Sequence, residues 1–479
     1  MVEMPRKYCR KLLLFALSVM ACMTFSMTAF AFRIEVTVTG HENGLLYFGS
    51  HYGPEYQVID TIQTDSKGHA VFFGDFVLPQ GVYFIVIPPK TRFDFLVLDD
   101  QDFSITTGLD NVLGKLIMTG TEKPDLFFGL QRDIAAINLA SSELDIKKQY
   151  YANSGQANAD EIKRTEDSLK NRRMVVYKYY KTQDNNGFLS KMMAAMLPPE
   201  FPPYVLQWQT EDPARYYYYY KDHYFDAVDF SDERLLRTPE FVFHRMLDEY
   251  SKFFLSTRVD SIENVYKDVD ALIAKASVNI DFEKYIVSYL VDHFENPSVI
   301  GMDAVFVYLA NNYFLNGKIK WADEKAIDMI RSRVDEMKYN MLGAKSHNLH
   351  LKRIDGALFE TDSIQARYII LWFWERGCSL CDEQTPVLHS SYEEIKKMGA
   401  ELIAINIQSD KNAWEDYVTN MKLSWVNACS AGSTDDFFIY YGTTRTPRLF
   451  ILDSNKIIVA KDVKPKEIVR YLKYLDTKK

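Results

Sequence analysis

Phe373-Trp374-Glu375-Arg376-Gly377-Cys378-Ser379-Leu380-Cys381 is the stretch whose reading decides the fold. It closes the apolar run Tyr368-Ile369-Ile370-Leu371-Trp372-Phe373-Trp374, the pattern of a strand covered on both faces. A helix is expected to open at Cys378 and run over residues 378–398. A thiolate at Cys378 would sit where unpaired helix amides and the macrodipole favour negative charge. That lowers its pKa and makes Cys378 the attacking sulfur. Cys381 lies almost one turn further on, close enough to attack a mixed disulfide on Cys378 and resolve it.

Zinc is the main rival reading of such a pair. A structural zinc site needs about four ligands. Only Cys429, His347, His350 and His389 are spare, and no second C-x-x-C occurs. A static disulfide is the other rival. The strand-then-helix setting favours redox chemistry, with no metal and no cofactor beyond the redox-active disulfide itself.

Working outward, strand-like and helix-like runs alternate from about residue 343 to the end. Strands are expected at 401–407, 448–452 and 457–461, and helices at 412–421 and 464–475. This is a βαβ unit followed by a hairpin and a closing helix, an α/β arrangement. Cys429 is expected in a loop between Trp425 and Asp435, as a small buried residue.

The segment from Phe373 to Cys381, with Pro386 five residues later, resembles the active-site segment of thioredoxin-fold proteins. It is most similar to their exported TlpA/ResA-like branch of thiol-disulfide oxidoreductases. Gly442-Thr443-Thr444-Arg445-Thr446-Pro447, followed by Leu449-Phe450-Ile451-Leu452-Asp453, resembles the loop carrying that fold's cis-proline. The resemblance implies that Pro447 is cis and faces the cysteines. It also implies that the Thr446 backbone pairs with an extended substrate segment, a small case of strand addition. Three features depart from the pattern. Trp372 stands where thioredoxins carry a buried Asp, and Gln384 stands where the TlpA/ResA branch usually has a Glu. Both usual proton acceptors are therefore missing, and Glu375 and Glu383 are the candidates for proton transfer. Gly377 replaces the Trp that often precedes the first cysteine, which opens the rim around Cys378.

Upstream, the period changes twice. Residues 32–121 read as short alternating strands broken by Gly, Asn and Pro, giving an antiparallel β-sandwich. His41, His51 and His69 are expected in its loops rather than on a metal. Residues 122–342 read as an all-α domain. Tyr216 to Tyr220 form a run of five tyrosines. Five consecutive residues cannot share one helix face, so helix packing is preferred to a sugar platform. Asp226, Asp229, Asp232 and Glu233 read as caps and helix starts rather than a cation site.

Residues 1–31 read as an export signal: Arg6, Lys7, Arg10 and Lys11, an apolar run over 12–30, then Ala29-Phe30-Ala31. A retained membrane anchor and a lipidated Cys22 are the rival readings. Each places the body outside the cytoplasm, in the periplasm or cell envelope of a Gram-negative bacterium.

Of 479 residues, 56 are Lys or Arg and 65 Asp or Glu, a formal charge of -9, which argues against a general nucleic-acid binder. Five cysteines cannot make a disulfide scaffold. The chain reads as an extracytoplasmic thiol-disulfide oxidoreductase of protein disulfides, recharged by a membrane-linked reductant. The alternative is an envelope binding or scaffold protein in which the C-terminal domain is auxiliary. A thiol peroxidase fits poorly, because Leu371 and Glu375 occupy the places of its Pro and Thr.

Overall fold

The computed structural model describes residues 30–121, 124–154, 159–239, 242–254, 262–297, 299–408, 411–432 and 435–477. The expected signal peptide falls almost wholly outside the described residues. No helix among the described residues is long and apolar enough to cross a membrane. The chain divides into two compact units, one ending at Phe253 and the other running from Phe254 to Lys479. That boundary lies inside the segment 122–342 expected to be one helical domain, so its two halves belong to different units.

The first unit begins with eight strands: β1 (Phe32–Thr39), β2 (Leu45–Tyr52), β3 (Glu55–Gln63), β4 (His69–Gly74), β5 (Gly81–Ile87), β6 (Thr91–Val97), β7 (Asp102–Gly108) and β8 (Ile117–Thr119). They form two four-stranded sheets, β4-β1-β7-β8 and β3-β2-β5-β6. Alternation along β1 buries Ile34, Val36 and Val38 on one face, as the two-residue pleat requires. Rings from the two sheets meet between them: Phe48 lies 5.2 Å from Phe72, and Phe95 lies 5.9 Å from Phe103. One expectation is corrected. β1 and β7 pair in parallel, so the β region is not wholly antiparallel. His51 and His69 also lie in strands β2 and β4 rather than in loops.

Helices α1 (Pro124–Ser154) and α2 (Ala159–Gln183) follow, packed through Ile137, Leu144 and Leu169. The Gln131 side chain bonds both peptide groups of Asp94 and ties α1 to β6. Three shorter helices come next, α3 (Phe188–Met196), α4 (Pro203–Glu211) and α5 (Pro213–Asp222), then a 3-10 turn (Glu233–Arg237) and α6 (Phe243–Phe254). Pro203 and Pro213 occupy first-turn positions, where the missing N–H costs nothing. The tyrosine run lies on α5 and is partly buried all round, its rings against Phe201, Trp208 and Phe253. The nearby acids are engaged in ion pairs. Lys191 bridges Asp229 at 2.8 Å and Asp232 at 3.0 Å, and Arg234 also binds Asp232.

The second unit opens with α7 (Ile262–Ala276), α8 (Ile280–Glu295), α9 (Asp303–Leu309), a π turn (Ala310–Phe314) and α10 (Glu324–Met337). Phe282, Ile286, Leu290 and Phe294 bury one stripe of α8. Asp270 on α7 accepts the hydroxyls of Tyr308 and Tyr313, each at 2.6 Å.

A seven-stranded sheet follows, in the order β10-β9-β13-β12-β11-β14-β15. Its strands are β9 (His350–Arg353), β10 (Leu358–Glu360), β11 (Tyr368–Trp374), β12 (Ala400–Asn406), β13 (Val426–Ser430), β14 (Arg448–Asp453) and β15 (Ile458–Lys461). Helices α11 (Ser379–Lys397), α12 (Lys411–Met421), α13 (Asp435–Tyr441) and α14 (Ile468–Thr477) complete it. Every residue of β11 is buried, with successive side chains entering opposite cores. Tyr368, Ile370, Trp372 and Trp374 pack with Leu388 of α11 and Leu472 of α14. Ile369, Leu371 and Phe373 pack with Phe437 and Tyr441 of α13. Cys429 is corrected from loop to strand: it is buried on β13.

The helices of this unit are fastened to its sheet by a buried charge. Lys461 of β15 forms an ion pair with Asp303 of α9, the two side chains being only 9% and 5% exposed. Its ammonium also donates to the Asn340 carbonyl at 3.1 Å.

Candidate redox site

The site is built at one end of the central strands. β11 runs into the cysteine loop, and its neighbour β14 is antiparallel, with Phe373 opposite Arg448. The residues that leave β11 and those that enter β14 are therefore adjacent in space. This is how Cys378 and Thr446 meet across 68 residues of sequence: the Cys378 thiol donates to the Thr446 carbonyl at 3.4 Å. The Thr446–Pro447 peptide bond is cis.

Cys378 is the N-cap of α11, in an extended conformation, and its sulfur accepts the Cys381 amide at 3.3 Å. Gly377, just before it, has φ +86°. A side chain would be strained in that left-handed region, although a Cβ there would meet nothing within 4 Å. Glycine thus both permits the turn and leaves the rim beside Cys378 open.

The two sulfurs sit in different surroundings. Cys378 is partly exposed, while Cys381 is fully buried. Burial pushes the Cys378 thiol up, but the Cys381 side chain, the Thr446 side chain and the amides of Cys381 and Leu380 outweigh it and hold it below the ordinary thiol range. At Cys381 burial wins, helped by the neighbouring Cys378 sulfur, and the thiol is pushed up to about 12. The Glu375 amide and the Thr446 side chain work in the opposite direction at Cys381.

The structure separates the two candidate proton carriers. The Glu375 carboxylate enters the site and accepts the Thr446 hydroxyl at 2.6 Å. Glu383 is exposed on α11, and no contact with either sulfur is seen among the described residues. Trp372, in the place of the missing acid, is buried in the same core cluster as Cys381, and its indole N–H has no hydrogen-bond partner.

Several positioning residues had no signal in the sequence. The Gln408 side chain, just past β12, bonds both peptide groups of Arg376, and Asn406 braces Gln408 in turn at 3.1 Å. The Arg376 guanidinium pairs with Asp382 and lies 4.1 Å from the Tyr417 ring. On the other side, Asn296 at the end of α8 accepts from both Arg333 and Arg445, so the helices brace the loop that carries Thr446. Groups of three or more metal-ligating side chains do not occur among the described residues.

The family model for thioredoxin-like domains matches residues 365–458, which take in the cysteine pair and the Thr446–Pro447 loop. The C-terminal domain is thioredoxin-like. The thioredoxin-like domain is similar to the thiol-disulfide oxidoreductase ResA of Bacillus thuringiensis, 22% identical over 118 residues, 25% of this chain and 67% of the relative. It is likewise similar to ResA of Bacillus subtilis, 25% identical over 118 residues, 24% of this chain and 64% of that relative. These matches leave three-quarters of the chain outside them. Among solved structures, a thioredoxin-like protein of Bacteroides caccae is 17% identical and covers 58% of this chain and 98% of its own, with a TM-score of 0.48.

Proposed function

We propose that the thioredoxin-like domain is a thiol-disulfide oxidoreductase that reduces disulfides of client proteins outside the cytoplasm. The observation that carries this reading is the asymmetry of the cysteine pair. Cys378 caps a helix, is reachable from solvent and has a lowered pKa, whereas Cys381 is buried with a raised one. The names of the ResA relatives support the same chemistry.

The Cys378 thiolate attacks one sulfur of a client disulfide. A mixed disulfide forms, and the other client sulfur leaves as a thiolate. Cys381 then loses its proton and attacks the Cys378 sulfur. The second client thiolate departs, and the domain keeps a Cys378–Cys381 disulfide. Client and domain thereby exchange two electrons, and a dithiol donor on the membrane restores the pair. Thr446 and Pro447 hold the client, the Thr446 peptide group pairing with its extended backbone. Glu375 is better placed than Glu383 to act on the proton, since its carboxylate binds the side chain of Thr446, the residue whose carbonyl accepts the Cys378 thiol. Location outside the cytoplasm rests on the basic and then apolar leader of residues 1–31.

The test is capture with Cys381→Ser. That variant should accumulate clients linked to Cys378 that dithiothreitol releases, and Cys378→Ser should accumulate none. Absence of adducts with Cys381→Ser would leave the domain auxiliary to a binding or scaffold protein.

A further inference from the structure

The first unit carries an apolar corner that its own core does not use. Phe30, Phe73, Phe76 and Val77 are 46%, 54%, 53% and 70% exposed. Single exposed apolar side chains are ordinary, but a contiguous group marks a contact surface. These four gather where β1 begins and β4 ends, with Phe32 opposite Gly74 in the antiparallel register. The rings of Phe30 and Phe73 meet edge-on at 4.7 Å, and Phe76 leans on the buried Phe32 at 5.4 Å. The corner is fastened to the fold. The Ala31 N–H donates to the Gly74 carbonyl at 2.8 Å. Gln101 bonds both peptide groups of Leu78, at 2.9 and 2.8 Å, so the turn that presents Phe76 and Val77 is pinned at each end.

The chain that enters this corner points to what covers it. Residues 12–32 carry no charged side chain, and no polar linker separates the apolar run over 12–30 from the start of β1. That run approaches the length of about 20 residues that spans a bilayer. A chain that leaves a bilayer at Phe30 brings Phe73, Phe76 and Val77 to the lipid with it. We propose that Phe30, Phe73, Phe76 and Val77 are the face with which the first unit rests on a lipid bilayer, at the foot of a leader that stays attached. Phenylalanine and aliphatic side chains seat at the boundary of headgroups and acyl chains. Cleavage after Ala31 would take Phe30 from Phe73 and Ala31 from Gly74. The neighbouring charges are acidic or paired. Asp75 and Asp102 are exposed, and Arg33 lies between Glu35 and Asp102, the latter at 3.5 Å. Contact therefore rests on apolar burial rather than on attraction to anionic headgroups.

The experiment uses the full-length chain, expressed with its leader in a Gram-negative host and reconstituted in phosphatidylcholine vesicles. Residue 76 carries a photoreactive group, benzoylphenylalanine in place of Phe76, and mass spectrometry after irradiation reads what it has joined. The expected product is one chain bonded to one phospholipid at residue 76. Adding phosphatidylglycerol to the vesicles should not raise its yield. Phe30→Ser, Phe73→Ser and Val77→Ser together should lower the yield by roughly tenfold or more, since each removes apolar surface from the contact. A probe that joins a second copy of the chain assigns the corner to self-association and overturns the proposal. So does a probe that joins nothing, or a chain recovered from membranes that begins at Phe32. A yield that appears only with phosphatidylglycerol overturns the apolar basis of the contact. The product at residue 76 needs none of the serine substitutions, so it stays decisive should the triple variant fold poorly. No step of the measurement involves Cys378 or Cys381, and its outcome is independent of the redox chemistry.

Discussion

The Gln408 side chain closes on the backbone of Arg376 from both sides, accepting its N–H at 3.3 Å and donating to its carbonyl at 2.7 Å. Arg376 is two residues from Cys378, so this amide fixes the path by which the chain enters the cysteine turn. Gln408→Ala should free both peptide groups and destabilise the fold by about 1–3 kcal/mol. A small misplacement of a reacting sulfur should also slow client reduction on the order of tenfold. Urea unfolding and insulin reduction, measured on the same variant, separate the two effects.

The asymmetry of the thiols predicts a pH profile. Cys378 should alkylate on a titration centred below the ordinary thiol value of about 8.5, while Cys381 should resist alkylation until strongly alkaline pH. Site-resolved alkylation of the reduced protein checks both. A Cys381 that reacts as fast as Cys378 at neutral pH would contradict the assignment.

Stability follows from the same shifts with opposite signs. Above the ordinary value of about 8.5, the unfolded chain loses the Cys381 proton that the folded chain keeps, so this group makes the reduced protein less stable as pH rises. Cys378 is ionised earlier in the folded chain. Its contribution is present above the ordinary thiol value and is lost as pH falls through the lowered one. Urea midpoints of Cys381→Ser and Cys378→Ser, compared with the reduced parent across pH 6 to 10, should diverge in these two directions.

Burial lowers the pKa of Lys461, and Asp303 opposes that shift. Asp303→Ala should therefore leave an uncompensated charge and cost about 3–5 kcal/mol. Replacing both residues with apolar ones of similar volume should recover much of the loss. Unfolding of the two variants, followed by tryptophan fluorescence, checks the difference.

The cysteine pair, strand β11 and the Thr446–Pro447 loop were legible because each carries a local pattern: a fixed spacing, an unbroken apolar run, a proline entering a strand. Gln408 was not. It is an ordinary glutamine 32 residues beyond Arg376, and only the parallel pairing of β11 and β12 brings them together. Lys461 and Asp303 were invisible for the same reason, since neither residue type signals burial. The parallel β1–β7 pair was missed because alternation reports which face is buried and says nothing about which neighbour runs alongside. Cys429 was misplaced because β13 is only five residues long. The division at Phe253 escaped because helical periodicity does not say what a helix packs against.

The ion pair between Asp303 and Lys461 also bears on where the molecule can be cut. The similarity to other thioredoxin-like proteins invites a fragment starting near Gly343. Such a fragment would carry the lysine without its carboxylate, and would lose the Asn340 carbonyl that shares the ammonium. The edge of the sheet would be left with a stranded cation and a bared flank. A fragment beginning ahead of Ile262 keeps both the counter-ion and the Asn340 carbonyl, together with the helices that carry them.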